Sequence, residues 1–168
     1  QISNRQQYSW HIDQKESFRL IGKSKTFSCK NGEHYLQIPK FWSECHARGD
    51  TAKLISLDRG NPKGIFGLFT DFCKQRDETV YSIMVISDQE APPGFDEIVI
   101  PPAAWAVFDC HGKIPQSIHH GWKYLNEEWL LKYPFKHAPC PELEWYSEGD
   151  QTSDTYKAQI WIPIIEER

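Results

Sequence analysis

The sequence predicts an α+β domain in which a mostly antiparallel, eight-stranded sheet carries two main helices. The order of a strand region, one helix and two further strands occurs twice, over residues 8–87 and again over 95–166. A turn-rich segment containing Pro92, Pro93 and Gly94 separates the two copies. Two such modules, related by a pseudo-twofold axis, would leave a central cleft between their helices, and junctions of this kind are common ligand sites.

In the first module, apolar residues alternate with polar ones over 8–27, which predicts strand structure. Proline suits a first helical turn and glycine suits a helix end, so we predict a helix from Pro39 to Gly49. Residues 50–62 show no clear periodicity. Two strands follow, over 64–72 and 80–86, and the near-continuous apolar run of the second one predicts a central position in the sheet.

In the second module, strand residues over 97–110 are interrupted by two prolines. A helix is predicted from Pro115 to Tyr133-Pro134, because its apolar residues recur at steps of four, three and four. These residues are Ile118, Trp122, Leu125 and Trp129. A short strand over 143–146 and a last strand over 156–164 complete the module. Ile160, Ile162 and Ile164 should share one face of that last strand.

Composition excludes several classes of protein. With 168 residues, the chain predicts one domain spanning 1–168. Aromatic residues make up 14% of it, far too many for a disordered chain. The 19 Lys and Arg against 23 Asp and Glu give a net charge of -4, which argues against a nucleic-acid surface. No apolar run approaches the ~18 residues that a membrane span needs.

The five cysteines form no C-x-x-C pair and lack zinc spacing, so we expect no metal site and free thiols in a cytoplasmic protein. Phosphate-binding and metalloprotease motifs are also absent from the sequence, and no cofactor is predicted. The chain starts at Gln1 without an initiator Met. We therefore expect a fragment of a longer chain, with room for a partner domain.

Two features point to a binding function. Seven Trp are more than a core of this size usually needs, and aromatic faces hold flat or cationic organic molecules. The second feature is Glu144, which strand alternation places on the same face as Tyr146. A solvated glutamate would explain this pattern. A carboxylate in an aromatic pocket, buried without a protein partner, would instead favour a cationic ligand.

Six short segments carry a resemblance to one family. They are IPKFW (38–42), GIFG (64–67), IPPAAWAVF (100–108), NEEWL (126–130), LEWY (143–146) and IWIPI (160–164). In order, and over nearly the whole chain, they resemble motifs of the GyrI-like family. This family includes the effector-binding domains of AraC-type regulators and of multidrug-sensing MerR-type regulators.

The resemblance implies a tandem β-α-β-β fold with a ligand cleft between its halves. It also implies that Glu144 points into the cleft, where drug-sensing members face cationic aromatic compounds. Many members carry a glutamate where this chain has Gln159, and the missing acid would weaken cation binding or shift the ligand class. Trp105 replaces a usual tyrosine and would narrow the cleft. The predicted ligand-binding residues are Glu144, Tyr146, Tyr156, Tyr81, Trp105 and Trp122.

The leading hypothesis is an effector-binding domain of an AraC-type bacterial regulator, whose partner is a small cationic organic molecule. DNA would be contacted through a domain missing from this chain. Stand-alone members of the family imply an alternative, a hydrolase in which Glu144 positions or deprotonates water with Tyr146 or Tyr156 as proton partner. A gyrase-binding module is a third possibility, and haem ligation by His111 or His119 a fourth. Whether the domain is an enzyme stays open at this stage.

Overall fold

A nine-stranded, mostly antiparallel sheet forms the centre of the computed structural model, which describes residues 8–133 and 135–166. The start of the chain and Pro134, a predicted helix end, lie outside the described residues. The strands are β1 (Trp10–Lys15), β2 (Phe18–Ser28), β3 (Ile65–Cys73), β4 (Glu78–Ile86), β5 (Asp96–Ile100), β6 (Ala103–His111), β7 (Phe135–His137), β8 (Leu143–Tyr146) and β9 (Lys157–Glu166).

Helices follow the second strand of each half. A 3₁₀ turn leads from β2 into α1 (Glu33–Ala47) and α2 (Asp50–Leu57). After β6, the helix α3 (Gln116–Tyr124) continues through a π-helical stretch (Leu125–Trp129) into the short α4 (Leu130–Lys132). The predicted α+β class is therefore confirmed, with one strand more than the eight expected.

Three element predictions need correction. The first helix starts at Glu33 instead of Pro39, because Gly32 adopts a left-handed φ of 69° and the helix begins directly after it. Pro39 therefore lies inside α1. Residues 50–57, which show no periodicity, form α2 against the sheet. The unpredicted β7 is a three-residue strand that exists because it pairs with the end of β9.

The strand order is β1-β6-β9-β8-β3-β4-β2-β5, with β7 added beside β9. The order is symmetric about the boundary between β8 and β3, as a pseudo-twofold relation of two modules requires. The leading strands are exchanged, since β1 precedes β2 in the chain but pairs with β6, and β5 precedes β6 but pairs with β2. Each half of the sheet thus includes one strand from the other half of the chain.

Both helical layers lie on one face of the sheet. Directly paired residues of antiparallel strands share a face, and one such row crosses the sheet through Ile83, Gly67, Glu144, Ile160 and Phe108. Ile83 belongs to the core under α1 and α2, whereas Ile160 and Phe108 belong to the core under α3. The middle of this row, on β3 and β8, lies between the two helical layers and forms the floor of a cleft.

The opposite face encloses a third apolar core, which includes Phe66, Trp145 and Trp161. The ring of Phe18, at the start of β2, lies 6.2 Å from that of Trp105 on β6. These two strands are far apart in the strand order, so the sheet curves until its ends meet on this side. This core fixes the sheet curvature and leaves the helical face to carry the cleft.

Candidate ligand-binding site

Glu144 is the acidic group at the floor of the cleft. Its Oε2 accepts a hydrogen bond from the indole Nε1 of Trp122 on α3, at 2.7 Å. Its Oε1 accepts one from the hydroxyl of Tyr146, two residues along β8, at 2.9 Å. Among the described residues, no Lys or Arg forms an ion pair with this carboxylate. Its negative charge is therefore met by two neutral donors.

Burial dominates the electrostatics of Glu144. It raises the pKa of the carboxyl above its ordinary value, and Glu142 adds to this through its own negative charge. The hydrogen bonds from Trp122 and Tyr146, together with the proximity of His119, act in the opposite direction. Burial and the charge of Glu144 also raise the pKa of Tyr146, which keeps its hydroxyl protonated as a donor. A positive charge brought to this point would stabilise the ionised carboxylate.

The first module contributes the other wall of the cleft. The indole Nε1 of Trp42, on α1, donates to the hydroxyl of Tyr81 on β4 at 3.0 Å. The same indole meets the ring of Tyr146 edge-on, with 5.6 Å between ring centroids. Burial raises the pKa of Tyr81, and the charge of Glu144 raises it further. Aromatic side chains from both modules thus converge on β8.

Four of the six predicted ligand-binding residues come together here: Glu144, Tyr146, Tyr81 and Trp122. Tyr156 lies on the same face, but it packs in the core under α3, and its hydroxyl donates to the carbonyl oxygen of Ser147 at 2.7 Å. It supports the floor from the core under α3. The structure adds Trp42, which the prediction left out although the segment IPKFW contains it.

Trp105 does not join this group. Strand β6 directs Phe108 to the helical face, so Trp105, three residues earlier, points to the opposite face. There it is fully buried beside Trp161. The same alternation corrects the expectation for Gln159, which pairs with Trp145 on that opposite face and hydrogen-bonds Asp109 and Trp161. Its difference from glutamate therefore does not remove an acid from the cleft.

Two open cavities lie away from Glu144. One, of about 440 Å³, is bordered by the end of β3 and residues 139–141. The other, of about 660 Å³, is bordered by the start of β2 and residues 86–90. Neither is lined by Glu144. Trp42 and Trp122, the indoles on either side of the floor strands, are both half-buried.

His111 and His119, the two histidines of the haem hypothesis, are both exposed. Within residues 8–133 and 135–166, no group of three or more His, Cys, Asp or Glu side chains is arranged to hold a metal ion. In the same part of the chain, every helix is too short or too polar to span a membrane.

A family model of integron-associated effector binding proteins, Cass2, matches residues 11–164. The chain belongs to this family. The Cass2 match runs from β1 into β9 and so includes both walls of the cleft. It confirms the predicted resemblance to effector-binding domains. A comparison with curated protein sequences gives no match.

Solved structures share the same fold. SAV2435 bound to tetraphenylphosphonium superposes with a TM-score of 0.82 at 25% identity, over 94% of each chain. A putative bacterial transcription regulation protein from Staphylococcus aureus MU50 superposes with a TM-score of 0.75 at 24% identity, over 93% of this chain and 97% of that one. The C-terminal domain of EcmrR superposes with a TM-score of 0.62 at 17% identity, over 95% of this chain and 99% of that one. This Cass2 member thus has a fold that also occurs as a regulator domain.

Proposed function

We propose that this protein is the effector-binding domain of an AraC-type bacterial transcriptional regulator and that its effector is a lipophilic aromatic cation bound at Glu144. The observation that supports the proposal is a half-buried carboxylate held by Trp122 and Tyr146, two neutral aromatic donors, with no ion pair to a Lys or Arg among the described residues. Burying a charge without a counter-ion is costly, and a ligand cation would remove that cost.

The aromatic walls suit such a ligand. Indole and phenol rings attract cations through their faces and bury apolar rings through their area. SAV2435, at 25% identity, binds tetraphenylphosphonium, a cation that carries four phenyl rings. The net charge of -4 on this chain also favours the approach of cations.

A bulky cation would displace Trp42 before it displaced Trp122. The indole of Trp42 donates to a neutral hydroxyl, on Tyr81, whereas that of Trp122 donates to the carboxylate of Glu144. Hydrogen bonds to a charged acceptor are about twice as strong as neutral ones. The wall of the first module therefore opens, while Trp122 keeps the carboxylate in place.

The experiment measures affinity by calorimetry and by quenching of the Trp fluorescence, in the wild-type protein and in Glu144→Gln. Tetraphenylphosphonium is the test ligand, and tetraphenylborate, which has the same shape and the opposite charge, is the control ligand. Loss of a desolvated charge partner costs about 2–5 kcal/mol, so Glu144→Gln should weaken phosphonium binding roughly thirtyfold or more.

Glu148→Gln is the matched control variant, since this exposed carboxylate lies just after β8 and outside the cleft. It should bind the phosphonium as the wild-type protein does. Equal affinity for the phosphonium in wild type and Glu144→Gln, or equal affinity of the wild type for phosphonium and borate, would overturn the proposal.

The hydrolase remains the alternative prediction. A carboxyl whose pKa is raised by burial suits a general base near neutral pH, and Tyr146 is hydrogen-bonded to it. Turnover of an electrophilic substrate by the purified protein, abolished in Glu144→Gln, would favour this function. As an effector domain, the protein would act in the cytoplasm and reach DNA through another domain.

A further inference from the structure

Helix α3 lies very close to the sheet at Gly121. A Cβ on this residue would lie 2.6 Å from the Sγ of Cys110 on β6 and 3.0 Å from the Cδ1 of Ile160 on β9, whereas ordinary contact begins near 3.4 Å. Burial, with the charges of Asp109 and Glu144, raises the pKa of Cys110 to about 12. The thiol is therefore neutral, and the contact is one of packing.

This contact lies beside the cleft. Ile160 pairs directly with Glu144 across β9 and β8, so the two share the helical face of the sheet. Trp122, the residue after Gly121, donates its indole N–H to the carboxylate at 2.7 Å. Glycine weakens a helix interior relative to alanine, so its position in α3 is explained by the close approach that it permits.

Added bulk at Gly121 would move the helix more readily than the sheet. Cys110 and Ile160 lie in the core under α3, and such cores are close-packed. Their strands are each paired on both sides, β6 with β1 and β9, and β9 with β6 and β8. The outer side of α3 is exposed at His119 and His120. A methyl group at position 121 would therefore lift α3 away from the sheet.

We infer that Gly121 is a positioning residue of the ligand site: it lets α3 rest on Cys110 and Ile160, and so keeps the indole of Trp122 within hydrogen-bonding reach of Glu144. Gly121 acts through Trp122 and needs no contact with a ligand. For its consequence on ligand affinity the inference rests on the proposed function, since Glu144 is the proposed counter-ion.

Gly121→Ala tests the inference without any ligand. Two NMR signals report the contact: the indole N–H proton of Trp122, assigned by its loss in Trp122→Phe, and the side-chain carboxyl carbon of Glu144. In Gly121→Ala the indole proton should lose the downfield shift that a bond to a carboxylate gives. The pKa of Glu144 should rise further, because the ionised form has lost a donor.

A second change should reverse the first. Cys110→Ala removes the Sγ that the new Cβ would meet, so Gly121→Ala/Cys110→Ala should restore the indole signal and the titration of Glu144. Ile118→Val is the matched control, because it trims the same buried core from the same helix without adding an atom at the contact, and both signals should persist. Cys110→Val enlarges the contact from the strand side and serves if Gly121→Ala folds poorly by circular dichroism.

Ligand affinity should follow the titration of Glu144. At pH values below the midpoint of that titration, Gly121→Ala should bind tetraphenylphosphonium about tenfold more weakly than the wild-type protein, since one hydrogen bond to a charged group corresponds to at least that factor. Calorimetry at a series of pH values measures this effect.

The outcomes separate the inference from the proposed function. Signals of Trp122 and Glu144 that are unchanged in Gly121→Ala and in Cys110→Val, or changes that Cys110→Ala does not reverse, overturn the role of Gly121. Failure of the wild-type protein to bind tetraphenylphosphonium overturns the proposed function, while the two NMR signals still decide whether Gly121 positions Trp122.

Discussion

Glu144 on β8 stands directly opposite Gly67 on β3, at the boundary between the two halves of the sheet. Gly67 has no side chain, and the hydroxyl of Tyr81 and the ring of Trp42 occupy the space that a side chain at Gly67 would fill. A Cβ at this position would lie 2.2 Å from the hydroxyl oxygen of Tyr81 and 3.5 Å from the ring of Trp42. The glycine therefore allows the aromatic wall of the first module to reach the floor of the cleft.

Gly67→Ala should accordingly destabilise the protein by about 1–3 kcal/mol, the usual cost of overpacking, and weaken cation binding as Trp42 and Tyr81 shift. Urea denaturation and calorimetry measure the two effects. Tyr81→Phe removes the clashing oxygen, so Gly67→Ala/Tyr81→Phe should lose less stability than the two single changes added together. Strict additivity would contradict this contact.

Glu144→Gln should raise the free energy of unfolding at neutral pH. Burial raises the folded-state pKa of Glu144 above its unfolded value. Between the two values the folded state binds more protons than the unfolded state, so stability falls as pH rises through this window and stays lower above it. Glutamine does not ionise. Its amide oxygen can accept from Trp122, and the Tyr146 hydroxyl can rotate to accept from its amide N–H.

Urea denaturation at a series of pH values tests this. The stability advantage of Glu144→Gln should grow as pH rises through the raised pKa and vanish below the ordinary value of about 4.3. Glu148→Gln, which removes a carboxylate from an exposed position, is the matched control. A Glu144→Gln variant that is less stable than wild type at every pH would refute the account of this carboxylate.

Cation affinity should rise with pH. The cation binds the ionised form of Glu144, so its affinity increases as pH passes upward through the raised pKa of the carboxyl and then levels off, by up to about tenfold per pH unit. Tetraphenylphosphonium carries no titrating group and is the suitable probe. His119 also acts electrostatically on this carboxyl, so His119→Gln is included to remove that influence. Affinity that stays constant with pH in both proteins would count against Glu144 as the counter-ion.

Pro39→Ala should stabilise α1. Pro39 lies inside the helix, where it has no N–H to donate to the carbonyl of Tyr35. A proline ring inside a helix also crowds the carbonyl four residues earlier. Alanine restores the donor, although it also frees the unfolded chain. From these opposing effects we expect the free energy of unfolding to rise by roughly 1–2 kcal/mol, as measured by urea denaturation. A loss of stability would mean that the ring of Pro39 contributes packing that the helix needs.

Several elements followed from local sequence alone. The stripe of Ile118, Trp122, Leu125 and Trp129 predicted the second helix, and Ile118, Leu125 and Trp129 do lie buried in the core beneath it. Strand alternation in LEWY (143–146) predicted that Glu144 and Tyr146 share one face of the strand. In the structure the Tyr146 hydroxyl donates a hydrogen bond to Glu144. Such patterns succeed because the periods of helix and strand depend on the backbone and on which side faces the core.

Other features had no local signal. The helix α2 has little periodicity and forms because Leu54 packs into the core beneath α1. Trp105 was placed in the cleft by resemblance, but the register of β6 against β9 turns it to the opposite face. A shift of one residue in register moves a side chain to the other face of the sheet, and strand pairing over long sequence separations sets that register.

The amino-acid sequence by itself determined the α+β class, the two modules, and an acidic residue beside a tyrosine in an aromatic-rich chain. Tertiary structure decided the rest: that β1 and β5 exchange between halves, that Trp42 and Trp122 converge from different modules, and that Glu144 accepts hydrogen bonds from two neutral donors. Local patterns specify which face of an element is buried. Which elements meet across that face depends on pairings between residues far apart in the chain.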